Sequence, residues 1–126
     1  MAGCAETRTS QEEYPTPQQP RERTTALIAL QAFEGMFSLT PALASLLGIP
    51  LATLLAKLAE AEPGVQDDLR KTVWATVLAV WTFENKLAAQ RDVWELVVEK
   101  ARAWLTAFGE EDIKKLEKLA GLVGVV

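Results

Sequence analysis

The sequence predicts an all-α fold, a small bundle of about five to six helices with a disordered N-terminal leader. Helix-favouring Ala, Leu, Glu and Lys dominate the second half of the chain, and apolar residues recur there at spacings of three and four. The strongest strand candidate, residues 93–98, lies inside such a helical period. A chain of 126 residues has room for one domain. We therefore expect a single helical domain over residues 25–120.

The first 24 residues have the composition of a leader or linker. They contain only one aromatic residue, Tyr14, and several Gln, Thr and Glu, with prolines at Pro15, Pro17 and Pro20. Such a segment cannot bury enough apolar surface to offset the entropy lost on ordering. We expect residues 1–24 to be disordered, although Tyr14-Pro15-Thr16-Pro17 could alternatively serve as a short peptide ligand.

Three short helices are predicted in the first half of the domain. The first begins near Thr25, places Leu27, Leu30 and Phe33 towards the core, and ends before Gly35. An extended crossing then leads to the next helix.

Proline and glycine set the limits of the second and third helices. Thr40 and Pro41 are typical of an N-cap and a first helical position, and Gly48 of a left-handed C-terminal stop. Pro50 opens the third helix, and Pro63-Gly64 ends it.

Three longer helices are predicted in the second half. One starts at Asp67 or Asp68, and a turn lies between Asn85 and Arg91. The pair Asp92 and Glu95 has capping-box spacing and indicates the next start; Gly109 closes that helix. The last helix spans residues 110–120, and residues 121–126 form an apolar tail that frays or lies on the bundle.

The composition argues against catalysis and against several classes of ligand. The chain has no histidine, and its one cysteine, Cys4, lies in the leader, so the commonest general base and zinc ligands are missing. No Gly-rich phosphate loop or calcium-binding loop occurs. Adjacent acids such as Asp67-Asp68 are better explained by the helix dipole than by a hydrolytic pair. We expect no enzyme activity, catalytic residue, cofactor, metal or small-molecule substrate.

Charge and hydropathy narrow the expected partners and location. The net charge of -4 lacks the basic stripe of nucleic-acid binders. No apolar run reaches the roughly 18 residues of a membrane span, and no signal-peptide pattern is present. A cytoplasmic protein without nucleic-acid or membrane partners is expected.

The four tryptophans are the most informative side chains. At helical spacing, Trp74, Trp81 and Trp104 are expected to fill the core. Trp94 falls in the first turn of its predicted helix, where burial and exposure as a partner contact are equally plausible. The same two alternatives apply to Met36-Phe37 in the crossing, where burial is preferred.

Two groups of motifs resemble one known type of domain. The stretch from Ala26 to Gly48, with its Leu-Gln, Gly and Leu-Thr-Pro positions, resembles the C-terminal helical domain of proteins that carry a VIT domain and a von Willebrand factor A domain. It is also similar to the major-vault-protein-binding C-terminal region of vault poly(ADP-ribose) polymerase. Three further segments of this chain resemble the later helices of that domain: Val73–Thr76, Arg91–Leu96 and Lys100–Leu105. The resemblance covers roughly residues 25 to 108 and implies an interaction module, since the polymerase's catalytic domain has no counterpart here.

The expected function is therefore non-catalytic binding of a protein partner through an apolar surface. The resemblance implies major vault protein, or the VIT/A-domain core of a larger protein, as that partner. The alternative is a structural helical cap that packs intramolecularly and has no external partner. The candidate partner contacts are Met36, Phe37, Leu39 and Trp94.

Overall fold

The computed structural model describes residues 20–61 and 68–125, and within these ranges it contains α-helices and no strand. The helices are α1 (Pro20–Ala29), α2 (Pro41–Leu47), α3 (Leu51–Ala61), α4 (Asp68–Lys86), α5 (Arg91–Leu105) and α6 (Glu110–Leu122). The predicted all-α bundle is thereby confirmed. The expectations for residues 1–19 and for the stop at Pro63-Gly64 lie outside the described residues.

The first helix begins at Pro20, five residues before the predicted start near Thr25. Proline suits a first helical position because its missing N–H would have no intrahelical acceptor there, and Glu22 favours the positive end of the helix dipole. The Nε of Arg23 donates a hydrogen bond to the carbonyl of Leu46, 2.9 Å away, and this bond connects α1 to α2. Burial lowers the pKa of Arg23.

The predicted ends of α2 are confirmed. The Thr40 hydroxyl accepts a hydrogen bond from the N–H of Leu43 at 3.2 Å, and Pro41 is the first helical residue. Gly48 has a φ of 75°, and its N–H bonds to the last carbonyls of the helix. These caps hold α2 to seven residues.

The central helix is α4, which contacts α3, α5 and α6. Every residue from Val73 to Val80 is buried, as expected for a helix covered on several sides. Trp74 is completely buried, as predicted, and its Nε1 donates a hydrogen bond of 3.0 Å to the carbonyl of Leu54. Trp81 and Trp104 are only half-buried, so the core prediction holds in part for them.

The connections in the second half differ in detail from the prediction. α4 ends at Lys86 and α5 begins at Arg91, so the turn lies where it was expected. Gln90 occupies the N-cap position of α5 without a side-chain hydrogen bond, so the expected capping box around Asp92 is absent. α5 already ends at Leu105, and Gly109 instead precedes α6 as its N-cap residue.

The C-terminal segment is more ordered than predicted. α6 continues through Gly121 to Leu122, where the prediction ended it at residue 120. Val125 is buried, so this end of the chain lies on the bundle, one of the two expected alternatives.

Arg102 connects the last three helices through its guanidinium group. It bonds to both carboxylate oxygens of Glu84 on α4, at 2.6 and 2.7 Å, and lies 3.5 Å from a carboxylate oxygen of Glu117 on α6. The hydrogen bond with Glu84 is the main cause that raises the pKa of Arg102.

Within the described ranges, no single helix has both the length and the apolar character to cross a membrane, and only α2 with α3, bent by 93°, meets these criteria as a pair.

Candidate protein-binding surface

The structure buries two of the four predicted partner contacts. Phe37 is 0% exposed and Trp94 5% exposed, so neither is an accessible partner contact. The burial preferred for Phe37, and weighed equally with exposure for Trp94, is what the structure shows. Phe83 lies between them, with ring centroids 6.4 Å from Phe37 and 5.7 Å from Trp94. The N–H of Phe37 donates to the Thr76 hydroxyl at 2.9 Å, and the Trp94 Nε1 donates to the Leu87 carbonyl at 2.7 Å. Both residues therefore belong to the core.

Met36 and Leu39 are half-buried at either side of Phe37. The carbonyl of Met36 accepts a hydrogen bond of 2.8 Å from the N–H of Ala32, so Met36 closes the turn that precedes the crossing. The participation of Met36 and Leu39 in partner binding stays a prediction. Phe37 and Trp94 are buried and do not adjoin them on the surface.

The turn between α1 and α2 is held against α5 by specific contacts. The side-chain amide of Gln31 donates to the carbonyls of Gly35 and Val97, each at 3.0 Å. Gly35 has a φ of 111°, and a Cβ added to it would lie 2.7 Å from the backbone oxygen of Lys100. Glycine is therefore required here by both backbone conformation and close approach.

Phe33 projects from this braced turn with 89% of its surface exposed. The prediction that it faces the core is wrong, because α1 ends at Ala29 and the tight turn that follows points residue 33 outwards. The Nζ of Lys100 lies 4.8 Å from the centroid of the Phe33 ring, a cation–π contact. The exposed ring of Phe33 thus lies on a turn whose backbone is held by the hydrogen bonds of Gln31.

α5 carries two more exposed apolar side chains. Leu96 is 76% exposed and Val93 45% exposed. Val93, Leu96 and Lys100 follow one another at spacings of three and four residues, which place them on one side of a helix. We call the group formed by Phe33, Val93, Leu96 and Lys100 the Phe33–Leu96 surface.

A row of acids runs along the same helix next to this surface. Asp92, Glu95 and Glu99 are exposed and also follow at spacings of three and four. Arg91 lies 3.7 Å from Glu95 as an ion pair. Asp92 and Glu99 have no salt bridge with any described residue. Two of the three carboxylates in the acid row are therefore without an ion pair among the described residues.

The sequence contained a signal for part of this surface. The buried side of α5 consists of Trp94, Val98, Ala101 and Leu105, a three-and-four pattern that leaves Val93 and Leu96 on another side. Two apolar residues off the core pattern are expected to be exposed. For Phe33 no periodic signal exists, because it lies in a turn.

Metal-ligating groups and clefts are the remaining features that could hold a ligand. No group of three acidic or cysteine side chains in residues 20–61 and 68–125 is placed to hold a metal ion. A cleft of about 420 Å³ between the end of α5 and the start of α6 is lined by Arg102, Leu105, Phe108 and Ile113, among others. Its two charged lining residues are already paired, Arg102 with Glu84 and Glu110 with Lys114.

No protein-family model, no curated protein and no solved structure matches the chain.

Proposed function

We propose that this chain is a non-catalytic domain that binds another protein through the Phe33–Leu96 surface. The observation that carries the proposal is the 89% exposure of Phe33 on a turn fixed by Gln31 and Gly35. Exposing an aromatic ring to water is unfavourable, and a rigid backbone reduces the entropy lost when a partner covers it. Leu96 and Val93 extend the contact beyond a single side chain.

The resemblance of the sequence motifs supports a particular partner. It favours major vault protein, or the VIT/A-domain core of a larger protein, as the protein that covers this surface. The absence of histidine from the sequence supports a non-catalytic role, because histidine is the commonest general base.

A binding titration tests the proposal. The domain is titrated against assembled major vault protein and, separately, against a recombinant VIT/A-domain fragment. Phe33→Ala and Leu96→Ala should each weaken binding by about 1 kcal/mol or more, as expected for anchor residues. Leu122→Ala on α6 is the matched control, since Leu122 is also exposed but lies on another helix. All three variants should keep the parent melting temperature.

A structural cap is the second candidate. The resemblance to the C-terminal domains of multidomain proteins favours it, because such a domain can cover its apolar surface with a neighbouring domain of the same chain. Failure of both proteins to bind the folded domain would reject the first proposal and favour this alternative. Equal losses from Leu122→Ala and Phe33→Ala would show that the surface is misplaced.

A further inference from the structure

The acid row and the α5 part of the Phe33–Leu96 surface lie side by side on one helix, and together they restrict the kind of segment that can dock. This inference rests on the proposed function and specifies the partner's chemistry. From Val93 to Lys100 the surface extends about 10 Å along α5 at the usual helical rise. Phe33 adjoins its Lys100 end, where the Lys100 ammonium contacts the aromatic ring.

The charges around this surface are unbalanced. Arg102 is bound to Glu84 on α4 and Glu117 on α6. Arg91 pairs with one member of the acid row, Glu95, at 3.7 Å. Lys100, the remaining cation of α5, lies over the Phe33 ring. Since Asp92 and Glu99 have no ion pair among the described residues, positive charge on a partner would complement them.

Basic side chains have room on the far side of the acid row. A cleft between the end of α4 and α5 has Ala88, Trp94 and Val98 in its wall. Its charged lining residues are Glu84, Glu95 and Glu99 with Arg91 and Arg102, and both arginines already pair with glutamates. A long Lys or Arg side chain can lay its apolar stem against such a wall and place its charge beside the carboxylates.

The docking segment is best matched by a helix. An extended segment gains most of its affinity by adding to a free sheet edge, and the described part of the chain contains no strand. A helix satisfies its own backbone hydrogen bonds and presents apolar and charged residues in parallel rows. α5 presents its rows in the same way, with three- and four-residue spacing.

We propose that the Phe33–Leu96 surface binds a basic amphipathic helix of a partner protein. The apolar side of the partner helix packs on the apolar residues of this surface, Phe33, Val93 and Leu96. The Lys and Arg side chains of the partner helix lie along the acid row. The apolar contacts supply most of the affinity. The acid row selects which amphipathic helices are accepted and in which orientation they lie.

Two synthetic peptides of about 18 residues, long enough for measurable helix content, test the proposal. They share the same Leu stripe and differ in the flanking row, which is Lys in one and Glu in the other. Binding is measured with the intact chain by calorimetry. At 0.1 M salt the Lys peptide should bind at least about fivefold more tightly, and the difference should shrink at 1 M salt, where the Debye length is ~3 Å.

Matched charge reversals separate a local effect from general attraction. The double variant Asp92→Lys/Glu99→Lys should weaken Lys-peptide binding by about fivefold or more. The control Glu22→Lys/Glu111→Lys changes the net charge equally at exposed acids of α1 and α6, and should bind as the parent does. Equal affinity of the two peptides, or equal losses in both double variants, would overturn the inference.

The remaining outcomes distinguish this inference from the proposed function. If major vault protein or the VIT/A-domain fragment binds and Phe33→Ala weakens it while Asp92→Lys/Glu99→Lys does not, the proposed function stands and the basic helix is rejected. If the Lys peptide binds and neither protein does, the basic helix stands and the partner proposed by resemblance is rejected. α6 itself carries exposed Lys114, Lys115 and Lys118 near Leu122. Self-association in sedimentation, lost in Asp92→Lys/Glu99→Lys, would identify a second copy as the occupant and overturn a separate partner.

Discussion

The side-chain amide of Gln31 donates a hydrogen bond to the carbonyl of Val97, 3.0 Å away, across 66 residues of sequence. The same nitrogen also donates to the Gly35 carbonyl, so one side chain both closes the α1–α2 turn and fastens it to α5. The position of Phe33 relative to Leu96 depends on this link.

Gln31→Ala should therefore make the turn that carries Phe33 more mobile. The variant loses two partly buried hydrogen bonds, and its free energy of unfolding should fall by about 1 kcal/mol. Amide hydrogen exchange of residues 32–36 should accelerate more than that of α4, and binding to the Lys peptide should weaken. Unchanged exchange in the turn, with unchanged binding, would show that Gln31 does not brace it.

Gly35→Ala should destabilise the fold. An alanine there would hold a backbone φ of 111°, and its Cβ would lie 2.7 Å from the Lys100 carbonyl oxygen. Strain of this kind is of order 1–3 kcal/mol, measurable by urea unfolding. Gly121→Ala is the control, since Gly121 lies inside α6 and the nearest neighbour of its added Cβ would be Trp81 Nε1 at 3.6 Å, an ordinary contact. A loss in Gly121→Ala as large as that in Gly35→Ala would contradict the explanation.

Trp74→Ala should reduce the free energy of unfolding by about 3–5 kcal/mol, the range for removing a core aromatic. The indole is fully buried, and its Nε1 bonds to the Leu54 carbonyl. Trp81→Ala should lose clearly less, because that ring is half-buried. Chemical denaturation followed by far-UV circular dichroism measures both. Equal losses would show that the exposure of Trp81 is misjudged.

Phe33→Ala and Phe37→Ala should separate binding from stability. Phe37 is buried against Phe83, so its truncation should lower the free energy of unfolding by about 3–5 kcal/mol. Phe33 is exposed, so its truncation should leave the melting temperature near that of the parent and weaken partner binding. A large fall in melting temperature for Phe33→Ala would place that ring in the core.

The limits of α2 could be predicted because local chemistry determines them. Thr40, Pro41 and Gly48 satisfy or remove backbone groups within their own turns, and no distant residue is needed. The start of α1 was missed because composition placed Pro20 with the leader, although proline also suits a first helical turn.

The exposure of individual aromatic residues could not be predicted in the same way. Trp94 lies in the first turn of α5, and it is buried because Phe83 and the Leu87 carbonyl, both outside α5, lie against its indole. Phe33 and Phe37 are four residues apart, yet the turn at Gly35 sends one outwards and the other inwards. Such outcomes depend on contacts between segments distant in sequence.

The packing of α6 against α4 bears on how the domain can be shortened. Leu116 and Ala120 are fully buried, and Glu117 reaches Arg102. A fragment that stops at Phe108 would expose to water the side of α4 that α6 covers. Arg102 would lose Glu117 and keep only its ion pair with Glu84. We expect such a fragment to precipitate on expression, whereas a chain that extends through Val125 should remain in solution and keep its helices on heating.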